Sequence, residues 1–534
     1  MFRYLYKKLK FIELKNTSND GDNDDVQKTI SQPKLSKHLK DNLDIFKNIL
    51  GLSTDIIYRE FSFGSKKQIN AAIIYLEGMT EKSSINEDII KPLMYDSRLY
   101  ELEDELESGN ISAIKNNILC VGNAKQVSIV NKLIDACLSG DTVFLIDGSR
   151  EALVISSKGW ETRGVEEPKT EVVVRGPREG FSENIATNMA LLRRKIKNPN
   201  LTFETMEIGT QTRTNVCVVY LKKVVNPKLI KEIKERLSRI KTDAILESGY
   251  IEQFIEDAPY SLFPTIGNSE KPDTTAAKIL EGRAAILVDG TPFVLTVPML
   301  FVEGFQSAED YYSRTYLSSF LRILRFLCFI ISILAPATYV MLSTFHQELI
   351  PTTLLFTMAA GHEGVPFPAV MEAGLMIITF EILREAGVRL PRPVGQAVSI
   401  VGALVIGEAA VSAGLVGGIM VIVVALTAVS SFLVPVYTDA VSILRIVFLI
   451  LAGSLGIFGV GTGLLVLLVH IVSLRSFGTP YLAPLAPMNK EDLKDTFVRK
   501  PLWSMNTRPR VIGWHNLVRQ KSGLKPKKPS GRKT

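Results

Sequence analysis

The sequence predicts an α/β N-terminal region of two subdomains, cytoplasmic, followed by an α-helical multi-pass membrane domain of five or six spans. Three observations predict this. Hydrophobic residues make up 46% of the 534-residue chain but are unevenly placed. Charges occur in every stretch up to about Ser319, residues 320–474 are apolar and Gly-rich, and the remainder is polar and basic. Within the first part, β-rich runs alternate with amphipathic helical patterns, as in mixed α/β domains. Within the apolar block, several runs approach the roughly 20 residues a helix needs to cross the hydrocarbon core. The predicted division is a flexible charged tail over 1–34, one α/β subdomain over 35–165, a second over 166–306, the helical membrane domain over 307–474 and a basic C-terminal tail over 475–534.

In chain order, "NTSNDGDNDDVQKTISQPK" cannot bury a core and reads as a flexible linker. "DIIYREFSF" and "INAAIIYLEG" read as strands, and "AKQVSIVNKLIDACLSG" as an amphipathic helix ending at a Gly cap. "DTVFLIDGSREALVIS" places two β-rich runs around Asp147-Gly148, the pair a tight hairpin prefers. The second subdomain opens on a predicted strand, "EVVVRGP". A helix over 183–195, the strand "TNVCVVYLKKV" and the amphipathic helix "NPKLIKEIKERLSRIK" follow. "AAILVDGTPFVLTVP" repeats the apolar-Leu-apolar-Asp-Gly-hydroxyl pattern at Asp289-Gly290. Two readings of that repetition stand: two related subdomains, or the commonest hairpin turn used twice.

Catalysis is not expected. The chain has no GxxxxGK[ST] loop, no GxGxxG after a strand, no GxSxG elbow and no HExxH. Asp147 and Asp289 read as turn residues. Cys120, Cys137, Cys217 and Cys328 show no CxxC, and the five histidines are dispersed, so neither a disulfide framework, a metal site nor a cofactor is predicted. The N-terminus "MFRYLYKKLKFIELK" lacks an apolar signal-peptide core, which keeps the N-terminal region in the cytoplasm. The helix "ERLSRIK" is basic without aromatic interleaving, so nucleic acid is not an expected partner.

In the apolar block, residues 326–345 are predicted to span, with Arg322 and Arg325 holding the start in the cytoplasm. "ELIPTTLLFTMAAGHEGVPFP" reads as an interfacial helix and loop, and "AVMEAGLMIITFEIL" returns to the cytoplasmic turn "REAGVRLPRP". "VGQAVSIVGALVIGEAAVSAG" and "IMVIVVALTAVSSFLVPV" are further spans. "VSILRIVFLILAGSLGIFGVGTGLLVLLVHIVSL" is either one long tilted helix, giving five spans, or a hairpin broken near "GIFGVGTG", giving six. The basic tail from Arg499 onward favours six with a cytoplasmic C-terminus, where it would meet anionic lipid.

Carboxylates in such segments cost about 2.5–3.5 kcal/mol each at a helix centre. Glu372 and Glu381 are nine residues apart and so point to opposite helix faces. Both are expected near segment ends, at the interface or paired, Glu381 with Arg384. Glu408 lies deeper, among Gly402, Ala403, Gly407, Ala409 and Ala410, whose small side chains let helices pack closely. On the helix 394–413, Val398, Gly402, Val405 and Ala409 share one face. Val398, Val401, Gly402, Val405 and Glu408 are therefore candidates for an ion pathway, with the valines as an apolar gate and Glu408 as a ring of charge favouring cations. The alternative is a packing face with Glu408 paired to an Arg.

"EGVPFPAVMEAGLMIITFEILREAGVRLPRPVGQAVSIVGALVIGEAAVSAG" closely resembles the A subunits of GerA-type spore germinant receptors. "LRSFGTPYLAPLAP", "KDTFVRKPLWSMNTRPR" and the soluble stretch from "DGSREALVISSKGW" to "MALLRRKI" resemble the same family. One departure from its pattern is His362, where Ser-Arg or a similar pair is expected before Glu363. The resemblance implies a role in germination, in the inner membrane of a dormant endospore. It implies a homo-oligomeric ligand-gated cation channel that works with a transporter-like B subunit, which senses the nutrient, and a lipoprotein C subunit. The alternatives are a transporter that itself binds the nutrient, or a membrane scaffold that conducts nothing.

Overall fold

The computed structural model describes residues 33–51, 53–64, 69–95, 111–117, 124–159, 168, 171, 173–390, 407–513 and 516–526. The predicted N-terminal linker thus lies outside the described residues up to position 32. The chain forms two compact units, one of Met1–Glu161 with Lys197–Asn200 and one of Thr162–Ile196 with Leu201–Thr534.

In the first unit, α1 (Leu39–Leu50) precedes the hairpin β1 (Ile56–Phe63) and β2 (Ile69–Leu76). The edge strand β3 (Ala124–Val127), α2 (Val130–Cys137), β4 (Thr142–Ile146) and β5 (Ala152–Ile155) follow. The sheet order is β1-β2-β4-β5-β3, antiparallel throughout. Residues 124–127, predicted as the first turn of a helix, are instead β3, and the helix starts only at Val130. Lys125 and Gln126 are exposed on this edge, where a charged residue discourages further strand addition.

The second unit opens on α3 (Ile185–Lys195), β6 (Leu201–Ile208), β7 (Thr214–Leu221), α4 (Pro227–Arg239) and α5 (Ser248–Ile255). Then come β8 (Gly267–Ser269), α6 (Pro272–Glu281), β9 (Ala284–Val288) and β10 (Val294–Val297). The antiparallel order β6-β7-β9-β10-β8 repeats that of the first sheet strand for strand. Both faces of this sheet are covered, which is why β7 reads as nearly continuous apolar sequence. Val216, Val218 and Tyr220 pack on Leu229, Ile233 and Ile251 of α4 and α5. Cys217, Val219 and Leu221 face the other way, onto Leu192 of α3 and Ile279 of α6. The predicted strand "EVVVRGP" does not form among its described residues. The amides of Val174 and Arg175 donate to Glu309 Oε1 (3.0 and 3.1 Å), and β8 holds the sheet edge instead.

The two Asp-Gly turns do the same work in both subdomains. Asp147 Oδ1 accepts from Leu39 N at the start of α1 (2.8 Å), and Asp289 Oδ1 accepts from Ile185 N at the start of α3 (3.1 Å). The glycine amides donate to Lys37 O and Glu183 O (2.7 and 2.8 Å). Buried Asn42 and Asn188 each bridge the backbone of a serine six residues earlier, Ser36 and Ser182. A shared strand order and shared helix-start contacts identify these as related subdomains; a turn reused for its geometry alone explains neither.

Beyond β10 the same unit continues into a helical bundle: α7 (Thr315–Thr344), α8 (Thr352–His362), α9 (Ala369–Arg389), α10 (Gly407–Ser412), α11 (Gly418–Phe432) and α12 (Thr438–Ser473). Among the described residues two helices are long and apolar enough to cross a membrane, Thr315–Thr344 and Pro435–Ser473, against the five or six spans predicted. α11 has only 15 residues, α9 carries five charges, and residues 394–406 of the predicted span 394–413 lie outside the described residues. α7 begins at Thr315, so Arg322 and Arg325 lie inside the helix; they pair with Asp310 instead of standing free before it.

α12 is not straight. Gly456 adopts φ 57°, ψ −135° and the chain folds back there. Tyr437, just before the helix, and His470, in its last turn, both contact Phe263, with ring centroids 5.8 and 6.4 Å away. A straight helix would hold them roughly 50 Å apart. The break falls at the first glycine of "GIFGVGTG", as the hairpin reading requires. The predicted basic tail is also more ordered than its charge suggests. Ser476, Tyr481, Ala483, Met505 and Ile512 are all buried.

A Cβ on Gly459 would stand 2.2 Å from Leu451 O across the hairpin. Gly459→Ala should therefore prevent the limbs from closing. The expected result is loss of most folded, detergent-extractable protein on size exclusion, whereas Gly461→Ala, which meets open space, leaves the yield unchanged.

Candidate functional site

Polar groups inside the bundle are costly unless paired, so their partners locate the functional interior. Arg445, in the first limb of α12, has a fully buried side chain. Its Nε donates to Ser332 O of α7 (2.9 Å), its Nη1 lies 3.4 Å from Glu381 Oε1 of α9, and its guanidinium sits 5.9 Å from the Phe380 ring centroid. Arg384 holds the other oxygen of Glu381 at 2.7 Å and donates to Ser442 Oγ (2.9 Å). Glu381 is thus a paired carboxylate, as one of the two expectations had it. The partner that sequence reasoning missed was visible as a lone Arg in "VSILRIVFLIL".

Glu372, expected near a segment end at the interface or paired, is near that end and takes the paired form. It is in the first turn of α9 and wholly buried. Its Oε2 accepts from Gly417 N at the start of α11 (2.9 Å), where the helix dipole favours negative charge. Its Oε1 lies 3.1 Å from His362 Nδ1, at ion-pair distance but without hydrogen-bond alignment. His362 Nε2 pairs with Tyr339 OH (2.9 Å). His362 thus helps tie α7, α8, α9 and α11 together through one carboxylate. The ten-residue separation of His362 and Glu372 across a Pro-rich turn hid that contact from periodicity.

Of the five candidate pathway residues, Val398, Val401, Gly402 and Val405 lie outside the described residues. Glu408 is on α10, exposed on the protomer, as is Ala409 beside it.

A cavity of about 980 Å³ lies between the second subdomain and the first turns of α12. Glu171, Glu252, Glu256, Asp273, Glu281, Glu303 and Asp439 line it, against Lys278, Arg283 and Arg519. Burial raises Glu303, but Arg283 and Lys278 outweigh it and hold this carboxyl below its usual range. Among the described residues Glu252 has no such partner. Burial, then Glu256 and Glu247, push it up to about 7. The geometry suits attraction of cations. Among the described residues no cluster of three or more His, Cys, Asp or Glu could hold a metal ion.

Two outcomes follow from these pairings. Removing one member of a buried ion pair strands the other, at a cost of about 3 kcal/mol or more. Glu381→Leu should therefore lower the thermal midpoint of the purified protein more than Glu381→Leu/Arg445→Leu together. A double mutant no more stable than the single would mean that Arg445 does not depend on Glu381. For Glu252 the folded chain keeps a proton that the unfolded chain releases above about 4.5, so the stability is present below pH ~4.5 and is lost as pH rises through ~7. Glu252→Gln should remove up to roughly 3 kcal/mol of that decline, seen as a smaller fall in thermal midpoint between pH 5 and 8.

The family profile described as Bacillus/Clostridium GerA spore germination protein matches residues 44–511. Spore germination protein KA of Bacillus subtilis (strain 168) is 46% identical over 500 residues, 93% of this chain and 91% of that protein. The uncharacterized membrane protein YfkQ of the same organism is 43% identical over 477 residues, 89% of this chain and 91% of that protein. The crystal structure of the N-terminal domain of the A subunit of the Bacillus megaterium spore germinant receptor GerK3 is 37% identical, covers 51% of this chain and 98% of that one, and superposes with a TM-score of 0.39.

Proposed function

Because the chain belongs to the GerA family of spore germination proteins, we propose that it is the membrane subunit of a nutrient germinant receptor. In this reading it is an oligomeric, ligand-gated cation channel in the inner membrane of the endospore, with its N-terminal region and C-terminus in the cytoplasm. It is opened through a transporter-like B subunit and accompanied by a lipoprotein C subunit; it catalyses no reaction. Family membership over nearly the whole chain is the observation that carries the germination role. The two long apolar helices and the membrane-protein relative support placement in a bilayer.

Support for cation conduction comes from charge and exposure. The acidic cavity adjoins the first turns of α12 and would raise local cation concentration. Glu408 is exposed on the single protomer, so copies around an axis would present a ring of carboxylates. One observation favours a non-conducting scaffold instead: the buried Glu372 and the half-buried Glu381 are both engaged by partners within the protomer.

Nutrient-induced current in liposomes carrying this chain alone, the B subunit alone, both together, or neither separates the readings. A channel conducts only when this chain is present, and current with the B subunit alone would overturn the proposal. Within a conducting receptor, Val405→Ala is expected to leak without nutrient, and Glu408→Gln to lower cation flux at unchanged abundance. Normal behaviour of both variants would move the pathway away from 398–408.

A further inference from the structure

α5 buries one face and leaves another bare. Ile251 and Ile255 are in the core of the second subdomain, while Tyr250 and Phe254, one turn apart on the adjacent face, are 45% and 57% exposed. Leu246, just before the helix, is 64% exposed, and the loop after the helix adds Tyr260, at 99%, and Leu262. A soluble domain gains nothing by holding such side chains in water, and clustered exposed aromatics mark a contact surface.

The position of the loop identifies the contact. Ser261, next to Tyr260, lies 3.0 Å by its Oγ from His470 Nε2 in the last turn of α12. Phe263 packs on His470 and on Tyr437, at the two adjacent ends of the helical hairpin. Around His470, Leu468, Val469 and Val472 are exposed on the outside of α12. The aromatic patch therefore begins where the apolar wall of the spanning hairpin stops. That is the level at which a bilayer changes from acyl chain to headgroup, and there Tyr is enriched because its ring is apolar and its hydroxyl wet.

We infer that α5 and the loop 259–262 form an interfacial anchor that rests the second subdomain on the lipid headgroup region. This rests on the proposal that α7 and α12 span a bilayer. The anchor sets the tilt of the subdomain that packs on both ends of the α12 hairpin, through Phe263.

The test uses the full chain in nanodiscs, with bromine-labelled phosphatidylcholine as the quencher. Ile330, on α7 and partly exposed, reports on the bilayer itself. Ile330→Trp should be quenched, relative to the parent, most by bromines deep in the acyl chain. Tyr260→Trp and Tyr250→Trp should be quenched most by bromines near the headgroup, by at least about a third of their added emission. Absence of quenching at Ile330→Trp would defeat the membrane reading. Quenching at Ile330→Trp with none at Tyr260→Trp or Tyr250→Trp would defeat the anchor alone. A second copy of the chain seated on the patch gives that last result, and protomer cross-linking at Tyr260→Cys would identify it.

Discussion

The described part of the second unit is organised around the stack of Phe301 and Tyr437, whose ring centroids are 5.2 Å apart. Phe301 follows the last strand of the sheet, and Tyr437 opens the helical hairpin. Phe263, Phe305, Phe329 and Tyr481 surround the pair at 5.2–6.0 Å, mostly edge to face. Each comes from a different stretch of chain. Aromatic pairs of this kind add about 0.5–1.5 kcal/mol each beyond the area they bury, and Gly304 is forced to be glycine because a Cβ there would stand 2.2 Å from the Tyr437 ring. The subdomain and the hairpin therefore share one core, and tilting either displaces rings that belong to both.

The buried charges obey the same constraint. Arg322 joins Asp310 and Asp495, Arg445 joins Glu381, and Arg283 joins Glu303. Each pair links segments that local hydrogen bonding would leave independent. Such pairs contribute little net stability compared with apolar replacements but penalise every arrangement that separates them. Under the channel reading, the carboxylates available to passing cations are those left exposed on the protomer, Glu408 and the cavity lining. The conduction path is then a property of the assembly.

Much of this was legible in the sequence. Period-two alternation and the amphipathic stripe of α4 located several strands and helices of both subdomains, and the Asp-Gly echo marked a repeated strand order. What it could not carry was contact across long separations. β6 went unpredicted because Glu204 on one face and Glu207 on the other dilute the apolar signal. The strand expected at 171–177 lost its partner to β8, a segment of three residues. Glu372 read as a terminal carboxylate because nothing local shows that His362 and Gly417 converge on it. The C-terminal segment read as a tail because its many Lys and Arg outweigh, in composition, the few residues it buries.

That segment has a consequence for how the chain is made. Ser476 Oγ donates to Thr265 O and accepts from Met299 N, and Asp495 supplies a carboxylate to Arg322. The second subdomain begins to emerge from the ribosome some 300 residues before these groups do. Until then Arg322 lacks one of its counter-charges and the aromatic core lacks Tyr481. This junction is therefore completed only after the last helical limb has been synthesised. A truncated chain lacking these groups leaves the junction unfinished and open to proteolysis.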